Sequence, residues 1–221
     1  MKRSVIIVAG GSGQRMGTKI PKQFLLLAGM PVLMHAIRRF HAFDPAMPLI
    51  VALPPAHIPT WTQLCAEHCF TIAHTVTAGG GTRFESVKKA LDAVHDTEWI
   101  AVHDGVRPLV SPTLIARCFE TAALHGAAAP VVPLADSVRM REAGGSRSVL
   151  RDNYCIVQTP QIFRAEWLKH AYRTPFSTAF TDDASVVEAA GYPIALSEGS
   201  RENIKITDAL DLKIAEQLLM W

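Results

Sequence analysis

Val5-Ile6-Ile7-Val8-Ala9-Gly10-Gly11-Ser12-Gly13-Gln14-Arg15-Met16-Gly17 reads as a buried strand that empties into a glycine-rich loop. The apolar run has the length of a strand, and the glycines end it. Such a loop lets backbone N–H groups turn toward an anion, and the missing Cβ atoms let the anion come close. Arg15 sits inside the loop, and Lys22 follows in Pro21-Lys22-Gln23, where the proline stiffens the backbone. Glycine-rich backbone with an Arg and a Lys suits a polyphosphate, so a nucleotide is expected here. The loop matches neither common phosphate motif. Met16 occupies the last glycine position of G-x-G-x-x-G, and the chain holds no Gly-Lys-Ser/Thr. Read alone, the glycines also fit a plain surface turn.

Downstream, helical and strand patterns alternate. Helices are expected over 31–43, 61–68, 82–94, 112–125, 165–172 and 182–190, with a last one ending at 219. Strands are expected over 49–53, 71–76, 100–103, 127–132 and 203–206, and Gly79-Gly80-Gly81 forms a second glycine loop. Strands joined by crossover helices imply an α/β fold, Rossmann-like, with a mostly parallel twisted sheet and helices on both faces. Ligands then sit at the carboxyl ends of the strands, so the loops after residues 8, 77, 103 and 133 should share one side. Residues 134–153 break the pattern. Two polar runs flank Gly144-Gly145, which reads as a protruding β-hairpin arm with little core of its own, suited to dimerisation. The chain is otherwise expected to be one domain spanning 1–221.

Composition narrows the class. A net charge of +2 with scattered basic residues gives no footprint for nucleic acid. The apolar run after Met1-Lys2-Arg3 stops at Gly10, too early for a signal peptide, and no stretch approaches membrane-spanning length. A cytoplasmic protein is expected. Cys65, Cys69, Cys118 and Cys155 fit no zinc ribbon or redox pair. Cys65, His68 and Cys69 could share a helix face as zinc ligands, but small thiols on such helices are ordinarily core filler.

Asp104 follows the strand 100–103 directly, which puts its carboxylate at the sheet edge, where Mg²⁺ could bridge it to nucleotide phosphates. His103 points to the opposite face and reads as a satisfied, partly buried histidine. Arg107, Arg151 and Lys205 are further cations suited to an anionic group.

Taken together, the opening loop, Pro21-Lys22-Gln23, His103-Asp104-Gly105-Val106-Arg107-Pro108, Gln158-Thr159-Pro160-Gln161, Thr181-Asp182-Asp183-Ala184-Ser185 and Asn203-Ile204-Lys205-Ile206-Thr207 carry a resemblance. The chain resembles the cytidylyltransferases that act on 2-C-methyl-D-erythritol 4-phosphate in the non-mevalonate isoprenoid pathway. The match runs through the whole chain in order, hairpin included. Many sugar-nucleotide enzymes share the opening loop; the later segments are more specific. The resemblance implies CTP and a polyol phosphate as substrates, a divalent cation such as Mg²⁺, and a homodimer. It implies Arg15, Lys22 and Lys205 as catalytic cations. It places the nucleotide at Ala9, Gly10, Gly11, Ser12, Gly13, Gly80, Arg83, Ser86 and Asp104, with Asp104 also in the metal region. It places the acceptor at Arg107, Ser137, Arg151, Thr159, Thr181 and Lys205, across a dimer interface built by the hairpin. Two residues depart from the pattern: Ser137 stands where threonine is common, and Gly81 where aspartate often sits.

The expected reaction is in-line attack of an acceptor phosphate oxygen on the α-phosphorus of CTP. It needs alignment and charge stabilisation rather than a side-chain nucleophile. A ribitol 5-phosphate cytidylyltransferase is the nearest alternative, and a sugar-1-phosphate nucleotidyltransferase using another base is a second. A non-catalytic nucleotide sensor or a Rossmann redox protein would belong to other classes. Neither has a reason to gather two cations and a carboxylate around phosphates.

Overall fold

The computed structural model describes residues 1–11 and 20–220. The expectations for Ser12, Gly13 and Arg15 therefore lie outside the described residues. The chain runs β1 (Arg3–Val8), β2 (Leu26–Leu27), β3 (Met30–Pro31), α1 (Val32–Phe43), β4 (Leu49–Leu53), α2 (Ile58–Glu67), β5 (Thr75–Ala78) and α3 (Arg83–Leu91). It continues through β6 (Trp99–Asp104), α4 (Pro112–His125), β7 (Ala127–Pro133), β8 (Val138–Glu142), β9 (Gly145–Val149), β10 (Cys155–Val157) and β11 (Gln161–Arg164). It closes with α5 (Ala165–Ala171), α6 (Asp183–Ala189), β12 (Ala195–Glu198) and α7 (Ala209–Leu219).

β1 is central because it is apolar on both faces, as a strand covered by helices on each side must be. Val5 and Ile7 join the core built with α1, α2 and α4, while Ile6 and Val8 join the core built with α3, α5 and α6. β1 pairs in parallel with β4 and β6, and β5 extends the sheet beyond β4. β11 runs antiparallel between β6 and β7, β10 lies antiparallel on the far part of β7, and β12 pairs with β7 in parallel. Four residues lie between Val157 and Ile162 where only two lie between their partners Val131 and Ala128 on β7, so the chain bulges at Gln158–Pro160. That bulge faces the end of β6.

Two expected strands move. The run at 71–76 forms its ladder at Thr75–Ala78. Its earlier part packs by side chains instead: the Phe70 and Trp61 rings meet edge to face, and Trp61 Nε1 donates to His74 Nε2 at 3.0 Å. Residues 203–206 are not a strand. Their alternation fits any extended backbone, and the segment docks on the loop after β6 through Ile206 N to the Val106 carbonyl, 2.9 Å. The free edge of β7 is taken by β12, which carried too short a pattern to be read. Cys65 lies in α2, but α2 ends at Glu67, and Cys69 is exposed with φ of 47°. No helix face unites the two with His68.

Candidate active site

Val8 aligns with Ala52 and with Asp104, so the loops after β1, β5 and β6 open on one edge of the sheet. Each loop is shaped by local chemistry. Gln23, fully buried, donates from Nε2 to the Ala9 carbonyl at 2.9 Å, anchoring the end of β1. A Cβ on Gly11 would stand 3.1 Å from Lys22 Cε, so glycine there lets the lysine stem lie against the backbone. In the second loop, Thr82 caps α3 and Glu85 reciprocates in a capping box. The Glu85 carboxylate accepts from Gly81 N at 2.6 Å, and Ser86 Oγ accepts from Gly80 N at 3.1 Å. A Cβ on Gly80 would fall 2.3 Å from Glu85 Cβ, so the turn admits no larger residue unshifted.

These loops line one cavity. Ala9, Gly10, Gly11, Lys22, Gly80, Arg83, Ser86, Asp104 and Lys205 all face it. An adjoining cavity is lined by Arg107, Thr159 and Thr181 and shares Arg83, Asp104 and Lys205 with the first. Ala9, Gly10, Gly11, Gly80 and Ser86 thus line one cleft and Arg107, Thr159 and Thr181 its neighbour, with Arg83, Asp104 and Lys205 shared between them.

The Asp104 carboxylate is nearly buried and ringed by cations. Lys205 Nζ stands 2.9 Å away, Arg83 Nη2 3.4 Å and Arg107 Nε 3.6 Å. Burial alone would push its carboxyl up, but Arg83, Lys205 and Arg107 hold it well below the usual carboxylate range. It is therefore a fixed negative charge. Arg83 is held from behind, donating to Asp183 Oδ2 at 2.7 Å while Tyr172 OH donates to Asp183 Oδ1 at 2.7 Å. Burial works against the Arg83 charge, and Asp183 with Asp104 more than offsets it, raising its pKa. Burial lowers the pKa of Arg107, with Asp104 opposing.

Behind the carboxylate lies a buried relay. Asp104 N donates to Thr159 Oγ1 at 3.0 Å, Thr159 Oγ1 lies 3.0 Å from His103 Nδ1, and His103 Nε2 lies 3.1 Å from the Arg107 carbonyl. The expectation of a satisfied histidine holds, and the ring is wholly rather than partly buried. Asn203 closes the ring of contacts: its Nδ2 donates to the Thr159 carbonyl at 2.8 Å, and its own carbonyl accepts from Arg107 Nη1 at 2.8 Å.

Asn203, Gln23, Gln161 and the Asp183–Tyr172 pair carry much of this positioning, and no pattern of spacing pointed to them. Gln161 accepts from Ala184 N at 2.8 Å and donates to Asp182 at 2.7 Å, seating α6 beside Thr181. The signal available was a polar residue inside an apolar context, as with Gln161 opening Gln161-Ile162-Phe163. Ser137 and Arg151 line neither cavity. Both are exposed at the base of the hairpin, where Arg151 Nη1 donates to the Ala135 carbonyl at 2.6 Å. Among the described residues, no group of three or more His, Cys, Asp or Glu side chains is placed to hold a metal. No described helix is long and apolar enough to cross a membrane.

Comparison with known proteins places this geometry. The chain is 52% identical over 219 residues to a 2-C-methyl-D-erythritol 4-phosphate cytidylyltransferase of Bacteroides thetaiotaomicron, covering 99% of this chain and all of the relative. It is 37% identical over 224 residues to the enzyme of that name from Pelotomaculum thermopropionicum, covering 99% of this chain and 94% of the relative. The crystal structure of the enzyme of the same name from Thermus thermophilus matches with a TM-score of 0.82 at 35% identity, covering both chains completely. The family model described as IspD, 2-C-methyl-D-erythritol 4-phosphate cytidylyltransferase, matches residues 4–220. With both clefts falling inside a match of that length, the chain belongs to the 2-C-methyl-D-erythritol 4-phosphate cytidylyltransferase family.

Proposed function

We infer that the chain transfers the cytidylyl group of CTP to 2-C-methyl-D-erythritol 4-phosphate, giving 4-diphosphocytidyl-2-C-methyl-D-erythritol and pyrophosphate. The observation that carries this is the pair of adjoining clefts meeting at Asp104, Arg83 and Lys205. A nucleotide in the glycine-lined cleft and a phosphate acceptor beside Arg107, Thr159 and Thr181 would present their reacting groups at that junction. An acceptor phosphate oxygen then attacks the α-phosphorus in line, the P–O bond to pyrophosphate breaks, and the charge is carried off on the leaving group. Lys22, Lys205 and Arg15 stabilise the crowded anionic transition state. Family membership favours methylerythritol phosphate over ribitol phosphate as acceptor.

Asp104 is the one carboxylate among the described residues lining the nucleotide cleft. With three cations already around it, its donor set fits a divalent ion only if substrate oxygens complete the coordination, as Mg²⁺ prefers. Bound there, such an ion would neutralise phosphate charge alongside the lysines.

The active unit is proposed to be a homodimer in which the hairpin of one copy brings Ser137 and Arg151 to the acceptor cleft of the other. Exposed Leu150, Tyr154, Ile156 and Val157 follow the hairpin in the chain as a strip of apolar residues, and Val157 also lines the acceptor cleft. The test is pyrophosphate release with CTP and Mg²⁺, run with methylerythritol phosphate and with ribitol phosphate. Turnover with the first is expected. Turnover with ribitol phosphate alone would overturn the acceptor assignment.

A further inference from the structure

A buried histidine with no place in a reaction is ordinarily a packing residue, and the Phe40 ring does pack edge-on against His103, centroids 4.9 Å apart. Its hydrogen bonds carry more information than that. The Arg107 carbonyl can only accept, so Nε2 carries the proton. The ring is wholly buried between the Arg107 carbonyl and the Thr159 hydroxyl, and in its uncharged form the proton on Nε2 leaves Nδ1 as an acceptor. Thr159 must then donate its hydroxyl proton to Nδ1 while accepting the Asp104 N–H. The relay runs one way, from Asp104 to Thr159 to His103 to Arg107, and its direction is set by the ring's tautomer.

Every member of this relay holds something that reaches the acceptor cleft. Asp104 holds Lys205 at 2.9 Å, and Thr159 lines the cleft directly. Arg107 lines it too, and its guanidinium is tied to Asn203, two residues before Lys205. The nucleotide cleft shares Asp104 and Lys205 but depends less on the relay, since its glycine loops are held separately by Gln23, Glu85 and Ser86.

We propose that His103 is a positioning residue for the acceptor half of the site, fixing Asp104, Arg107 and Lys205 relative to one another through Thr159 and the Arg107 carbonyl. This rests on the acceptor assignment above. Two variants divide the relay. His103→Gln keeps a donor for the Arg107 carbonyl and gives up the acceptor for Thr159, whereas His103→Asn keeps the acceptor and gives up the donor.

The experiment varies CTP and methylerythritol phosphate separately against wild type and both variants, with melting temperatures recorded. Each variant leaves one buried polar group unpaired, so the acceptor KM is expected to rise about tenfold or more, and the KM for CTP by clearly less. Folded variants with both KM values unchanged, or with both raised alike, would overturn the proposal. No turnover in the wild-type control would instead overturn the functional reading on which it rests. Should neither variant fold, the ¹⁵N spectrum of the wild-type ring decides: protonation at Nε2 is expected, and protonation at Nδ1 overturns the relay.

Discussion

Lys22 and His103 bracket what single residues contribute. Lys22 faces the nucleotide cleft with its stem along Gly11, and its own turn is closed by backbone, Phe24 N donating to the Pro21 carbonyl at 2.8 Å. Lys22→Ala is therefore expected to fold with an unchanged melting temperature. It should lose about 10²–10³ in turnover, the usual cost of one preorganised charge-stabilising group. Steady-state pyrophosphate release checks this, and wild-type turnover would remove Lys22 from the catalytic set. His103 acts on stability instead. Burial pushes its ring from the ordinary 6.5 of an unfolded chain down to about 4, outweighing the help of the Arg107 carbonyl and Asp104, with Arg107 and Arg83 adding to the fall. Between those values the unfolded chain binds the extra proton, so stability rises with pH across the window. Acidifying from about pH 6.5 to about pH 4 should remove about 3 kcal/mol from this one ring, and the loss is complete below that. Urea unfolding of wild type against His103→Gln across the window measures it. An equal pH slope in both proteins would show that the ring is not the source.

Elements set where those residues stand, and the second glycine loop shows how tightly. Gly80 cannot carry a side chain without displacing Glu85, whose carboxylate closes the capping box and holds Gly81. Gly80→Ala should open that box, at a cost of about 1 kcal/mol in stability, and deform one wall of the nucleotide cleft. The KM for CTP is expected to rise with the acceptor KM nearly unchanged; the reverse split would place the loop on the wrong substrate. The same scale explains what could be read in advance. β1, β4 and β6 announce themselves because both faces are buried and each holds an apolar run, at 5–8, 49–53 and 99–102, and α1 and α4 because their apolar stripes begin at Pro31 and Pro112. The loop cations and Asp104 were readable because strand ends place their own next residues. Residues 203–206 misled because extended backbone alternates whether or not it finds a partner strand. β12 escaped notice since Ala195-Leu196-Ser197-Glu198 has little apolar face to show. The positioning contacts of Asn203, Gln161 and Tyr172 were beyond reach because they join segments far apart in the chain.

At the scale of the whole molecule, the proposed dimer turns on the hairpin and the exposed strip beside the acceptor cleft. Among the described residues β8 and β9 pair only with each other, and they are almost entirely exposed, so the hairpin has no core to hold it alone. The strip at Leu150, Tyr154, Ile156 and Val157 continues onto β10, an edge strand whose outer side is open. In the proposed dimer a second copy of the chain would cover both at once, since a two-fold interface applies the same patch to itself. If the hairpin base then delivers Arg151 to the neighbouring acceptor cleft, each site draws Lys22 from one copy and Arg151 from the other. Lys22→Ala and Arg151→Ala should each be nearly inactive alone. Co-expressed, they form mixed dimers with one site that has both residues intact. Random pairing makes half the dimers mixed, which restores about a quarter of wild-type activity. If Arg151 served its own chain's site, every site in the mixture would lack one residue and no activity would return, so the recovered rate distinguishes the two arrangements directly.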